Sequence, residues 1–187
     1  MEIALSRFLG PDDVITPISP EDEVLRAEVG GRPPQNYVGF DKHMPVSAIK
    51  ALVPDWNKYF KFTIERNPWD LAVSAYWWNS RLYEYPRSFR RFLFSRVLRK
   101  YSNWPLYTID GDVAVDSVIR YDDLPSGIAN VSEHLGLPNF SLPRAKSSYR
   151  PAIDTLSMYK QLDRWRVAHV FRREIAAFDW TFGEATL

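Results

Sequence analysis

The chain contains no cysteine. That excludes disulfides, thiolate nucleophiles and zinc sites built on sulfur, and it fits a reducing compartment. It also has no uninterrupted apolar run approaching the length of a transmembrane helix. The opening "MEIALSRFLG" lacks the basic stretch and long apolar stretch of a secretory signal. Soluble and cytoplasmic is therefore the expected class. Charge of one sign is lacking too: 24 basic and 23 acidic residues leave +1, so general attraction to nucleic acid is not implied. With three histidines and no carboxylate pair or His/Asp cluster in the pattern, no metal is expected.

What is present is apolar and aromatic. The 187 residues are 45% hydrophobic, with seven Trp, ten Tyr and eleven Phe, which suits one globular domain over 1–187 with a substantial core. Charge is unevenly spread. Residues 11–30 hold six acids and one arginine, whereas 81–100 hold six arginines, one lysine and one glutamate.

Apolar spacing predicts a short helix at "MEIALSRF", stopped by Gly10-Pro11. Residues 11–39, rich in Pro, Gly and acids, read as a long loop or lid. A helix follows at 45–53, then a strand at 58–65, then a helix from Asp70 to about Tyr83 with Leu71, Ala75, Trp78 and Leu82 on its stripe. "SFRRFLFSRVLRK" (88–100) reads as a basic amphipathic helix. In "LYTIDGDVAVDSVIRY" (106–121), two β runs meet around Asp110-Gly111, a type I′ hairpin dipeptide. A helix from Ser126 to Leu135 stops at Gly136, and 155–178 reads as one long helix with Trp165 and Phe171 among its apolar positions. This mixture predicts a three-layer α/β core.

"FTIERNPWDLAVSAYWW" (62–78) carries the chemistry. Its first half is strand-like and its second half helical, with Arg66 at the junction and Ser74 eight positions on. Ligands of open α/β sheets gather at the carboxyl ends of strands, where a helix start favours anions. Asp70 is the natural N-cap, with Asn67 as the alternative, and Pro68 suits the helix entry. An arginine fork plus a serine hydroxyl makes an anion clamp. The competing reading is an arginine salt-bridged at a strand end and a serine accepted for its small size.

"FKFTIERNPWDLAVSAY" resembles the 3′-phosphate-binding segment of the sulfotransferases, where a strand ends in Arg-Asn-Pro and a serine follows eight residues after the arginine. "DKHMPVSAIKALVPDWNKYFKF" is similar to the histidine-containing segment before it in Golgi-type and bacterial members. "VIRYDDLPSGIANVSEHLGLP" resembles the family's Arg-Tyr-Glu-Asp-Leu strand and following helix. "LPRAKSSYRP" and "REIAAFDWTF" are similar to its closing pattern, with Asp179-Trp180 where Gly-Tyr is common. The likeness spans roughly residues 40–182.

The resemblance implies a P-loop-NTPase-like sulfotransferase fold with a parallel central sheet, using 3′-phosphoadenosine 5′-phosphosulfate (PAPS). It implies that Arg66 and Ser74 hold the 3′-phosphate and that Tyr121 lies against the adenine. Lys146, Ser147 and Arg150 would sit on a loop closing over the nucleotide, and His43 would be the base that accepts the acceptor's proton. Bland alternatives stand beside these roles: a half-buried aromatic for Tyr121, a solvated basic loop for 146–150, and a backbone-bonded loop histidine for His43. His134 and His169 fall inside helical patterns and read as structural.

The family's N-terminal strand and phosphosulfate-binding loop, of the Pro-Lys-Thr-(small)-(Gly)-Thr-Ser type, have no counterpart here. "MEIALSRFLGPDD" resembles the helix after that loop, so the expectation is an N-terminally truncated fold. The expected activity is sulfuryl transfer from PAPS to a hydroxyl on a carbohydrate. Two alternatives remain: an inactive remnant that binds nucleotide, and a binder of anionic polymer using Arg90 and Arg91, whose own bland reading is a solvated basic face.

Overall fold

In the computed structural model, described over residues 1–82, 88–143 and 154–183, short strands are interleaved with helices. In chain order these are α1 (Glu2–Leu5), α2 (Pro20–Glu28), α3 (Val46–Leu52), β1 (Phe62–Glu65), α4 (Pro68–Leu82), α5 (Phe89–Phe94) and α6 (Trp104–Tyr107). There follow β2 (Thr108–Ile109), β3 (Asp112–Val113), β4 (Ser117–Arg120), α7 (Leu124–Leu135), α8 (Gln161–Val170) and α9 (Arg172–Phe178). β1 and β4 pair in parallel, with Phe62 opposite Ser117 and Glu65 opposite Arg120. β2 and β3 form an antiparallel hairpin. The architecture is mixed helix and sheet with a small two-stranded parallel sheet, compatible with the α/β class. Among the described residues, no helix is long and apolar enough to cross a membrane.

The chain gathers into two compact units. The first comprises Met1–Phe60, Leu106–Ala114 and Leu124–Lys146. Its surprise is α2, inside the stretch expected to be a loop. "SPEDEVLRAE" is in fact a well-built helix start. The Ser19 hydroxyl accepts the Asp22 N–H, Pro20 occupies the first turn, and Glu21, Asp22 and Glu23 face the positive helix end. Arg26, only 1% exposed, donates to Glu23 at 3.0 Å, to Glu2 at 3.0 Å and to the Thr16 carbonyl at 3.2 Å. Gly31 lies against this arginine, and a Cβ there would collide with Ser6 Oγ and Arg26 Cγ.

The Asp110-Gly111 turn adopts φ values of 54° and 95°, as a type I′ hairpin requires. α7 begins two residues earlier than the spacing predicts. It ends in a Schellman motif: Gly136 turns left-handed at φ 63°, and the Leu137 N–H reaches the Ser132 carbonyl at 2.8 Å. His134, near that end, stacks on Phe60 with ring centroids 3.8 Å apart.

The second unit comprises Lys61–Pro105, Val115–Asp123 and Ser147–Leu187. Its core joins Trp69, Ala72, Val73 and Ala75 of α4 to Phe92 and Leu93 of α5, with Leu98, Val167 and Phe171. The buried face of α4 thus includes Ala75 of the expected stripe, with Leu71 packed beside it, and extends to Trp69, Ala72 and Val73. Ser95 splits the helix expected over 88–100. Its hydroxyl donates to the Phe92 carbonyl at 2.7 Å and accepts the Val97 N–H at 3.1 Å, replacing helical bonds. The long helix expected over 155–178 is likewise divided into α8 and α9, with Phe171 at the break, fully buried and outside helical geometry at φ −103° and ψ 28°. Trp165 is 58% exposed and stacks on His169 instead of entering the core.

Candidate functional site at the strand-to-helix turn

The strand expected over 58–65 is confined to β1, because Trp56–Lys58 forms a 3-10 turn ahead of it. β1 is joined to α4 by only Arg66 and Asn67. Asn67 is the cap: its Oδ1 accepts the Trp69 N–H at 3.1 Å, and its Nδ2 donates to the Thr181 carbonyl at 3.0 Å. Pro68 takes the first helical position, where a missing N–H costs nothing. Asp70 is therefore displaced from the capping role into the first turn, and it does something else.

Arg66 Nε donates to Asp70 Oδ2, an i,i+4 ion pair in which the carboxylate is 4% exposed. Arg66 Nη1 donates to Ser74 Oγ at 3.3 Å. The guanidinium lies over the Tyr121 ring, 4.1 Å from its centroid. Three sequence-predicted residues, Arg66, Ser74 and Tyr121, are thus brought together at the carboxyl end of the parallel pair. Nη2 of Arg66 makes no hydrogen bond among the described residues, and the side chain is 21% exposed.

The neighbouring strand end differs. Arg120, opposite the buried Glu65, forks onto both oxygens of Asp122 at 3.3 and 3.2 Å. It also reaches the Phe178 carbonyl at 3.4 Å and lies 3.8 Å from the Trp180 ring centroid. Arg120 is spent on the fold, whereas Arg66 keeps one edge of its fork. Since Arg66 and Asp70 cancel as charges, the site would grip an anion through directed donors and the α4 dipole rather than through net charge.

Sequence reasoning gave Asp70 only a capping role and gave Arg120 and Trp180 no role at the site. The signal for Asp70 was its four-residue spacing from Arg66, a pairing distance on a helix. His43 occupies an exposed loop of the first unit with φ 58°, and it makes no side-chain hydrogen bond among the described residues. Lys146, Ser147 and Arg150 lie outside the described residues. Among the described residues, no group of three or more His, Asp or Glu converges as a metal site.

No family model matches the chain, and no solved structure matches it. A protein of Archaeoglobus fulgidus, described only as uncharacterized, is 37% identical over 101 residues, which are 51% of this chain and 84% of that protein. At that identity and coverage, the chain belongs to the family of the archaeal protein.

Proposed function

We propose that the Arg66–Ser74 edge binds the 3′-phosphate of PAPS, and that the protein is a sulfotransferase acting on a hydroxyl of a carbohydrate acceptor. The observation that carries this reading is the 3.3 Å contact between Arg66 and Ser74 at the carboxyl end of β1, with Tyr121 beneath the guanidinium. The donor set suits a tetrahedral anion: Arg66 offers a free N–H edge at Nη2, and Ser74 offers a hydroxyl proton while its oxygen faces Nη1. The exposed Tyr121 ring gives a flat surface for a nucleobase beside that anion. When bound, PAPS supplies the sulfuryl group to the acceptor oxygen and departs as adenosine 3′,5′-bisphosphate.

In this reading Asp70 orients the Arg66 fork, holding Nε so that Nη1 and Nη2 face the ligand. His43, in this proposal, is the base that accepts the proton of the acceptor hydroxyl. The fold would then be the three-layer, P-loop-NTPase-like sulfotransferase architecture, with β1 and β4 in its central sheet, and the protein would be cytoplasmic.

A second reading is a nucleotide binder without transfer activity, in which the neutral Arg66–Asp70 pair holds the 3′-phosphate through directed donors alone. Calorimetric titration separates both readings from neither. Adenosine 3′,5′-bisphosphate should bind about tenfold or more tightly than adenosine 5′-monophosphate, because only the former carries the 3′-phosphate. Transfer of labelled sulfate from PAPS to a carbohydrate then distinguishes enzyme from binder. Equal affinity for the two nucleotides, or no binding at about 1 mM, would remove the cofactor assignment.

A further inference from the structure

The second unit contains a cavity of about 330 Å³ that shares no residue with the Arg66 turn. Arg99 reaches it from the 3-10 turn Leu98–Tyr101, and Arg172 and Arg173 reach it from the start of α9. All three arginines are exposed, and none enters an ion pair among the described residues. His169 stands in the same lining. Three uncommitted guanidiniums around one concavity repel each other unless an anion lies between them.

The interior of the cavity has the opposite character. Glu174, 2% exposed, is in the lining, and its Oε1 accepts a hydrogen bond from Ser102. Ser102 Oγ also accepts the Trp104 N–H at 3.3 Å, which fixes the hydroxyl proton toward the carboxylate. Oε2 of Glu174 accepts no bond from any described residue. A buried carboxylate with an unused oxygen rejects an anion but accepts a hydroxyl. Trp104, Pro105 and Val170 add apolar wall.

From these two halves we infer that the cavity is a binding site for a small polyhydroxylated monoester, a sugar carrying one phosphate or sulfate group. The ester anion lies among Arg99, Arg172 and Arg173, and a ring hydroxyl donates to Glu174 Oε2. A bare anion satisfies only the rim and a neutral sugar only the interior. The volume sits at the low end of small-molecule sites, roughly 300–1,000 Å³, which suits one sugar ring with its ester. The inference is independent of the nucleotide assignment at Arg66.

The test uses the full chain and four probes: glucose 6-phosphate, glucose 6-sulfate, glucose and inorganic phosphate. At least one ester should bind by calorimetry, weaken as salt is raised, and exceed both glucose and inorganic phosphate about tenfold. Binding of one ester alone identifies its source as phosphate or sulfate and supports the site. The double variant Arg172→Gln/Arg173→Gln, altered only at exposed positions, should lose about tenfold in ester affinity, whereas Ser74→Ala should lose none. The inference is overturned if neither ester binds, if inorganic phosphate or glucose binds as tightly as the esters, or if the double variant binds unchanged. Should the double variant fail to fold, Arg99→Gln serves as the second reading of the same loss.

Discussion

Arg26 and Arg66 are both held by carboxylates on their own helices or at the helix entry, yet they end in different chemical states. Arg26 is 1% exposed and meets Glu2, Glu23 and the Thr16 carbonyl. Those contacts tie α2 to α1 and to the loop between them, so Arg26 is a tertiary clasp. Arg66 meets one carboxylate and one hydroxyl, both from α4, and keeps Nη2 without a partner among the described residues. An arginine with its fork filled by the fold works for stability. One anchored at Nε with an edge left over is positioned to meet something that is not part of the fold.

The largest effect should come from breaking the clasp. Arg26→Met keeps the buried stem and removes the charge, leaving Glu2 and Glu23 without their shared cation. Removing one partner of a buried pair costs several kcal/mol, and the partial exposure of both glutamates tempers that to about 3 kcal/mol. Urea unfolding should read it directly. Lys58→Met, which removes the exposed pair with Asp55, should cost less than about 0.5 kcal/mol. Equal costs for the two variants would show that Arg26 is no clasp.

The next effect separates charge from geometry at Arg66. Arg66→Lys retains a cation for Asp70 but loses the fork that reaches Ser74. Stability should change by less than about 1 kcal/mol, while affinity for adenosine 3′,5′-bisphosphate should fall about tenfold. A variant that loses stability and keeps affinity would place Arg66 in the same class as Arg26.

How far these differences could be read from the chain depends on sequence distance. The β1–α4 turn was legible because its signals are local: an apolar strand, Pro68 at a helix entry, and Ser74 two turns on. The hairpin at Asp110-Gly111 and the stop at Gly136 were legible for the same reason, since each depends on a residue that tolerates positive φ. α2 was obscured by the proline and acid content around it, although Ser19-Pro20-Glu21-Asp22 carries a complete start signal. Arg26's partner Glu2 lies far away in sequence, so no window contains the clasp. The parallel pairing of β1 with β4 is equally non-local, and with it the approach of Tyr121 to Arg66. Ser95 and Phe171 broke predicted helices through a side-chain bond and a packing demand that helical periodicity does not contain.

The smallest effect is the most selective. Ser74 is partly buried in mid-helix, so Ser74→Ala removes one hydroxyl and gains helix propensity, and the two should leave stability within about 0.5 kcal/mol. If Ser74 only fills space beside Arg66, nothing else should change. If it donates to a bound anion, the lost hydrogen bond is worth about 1 kcal/mol, or roughly fivefold in affinity. That loss should appear with adenosine 3′,5′-bisphosphate and be absent with adenosine 5′-monophosphate, whose single phosphate is not the one assigned to this edge. An equal loss for both nucleotides would mean that the hydroxyl acts through the shape of the pocket, and the Arg66 edge would then have no claim on the 3′-phosphate.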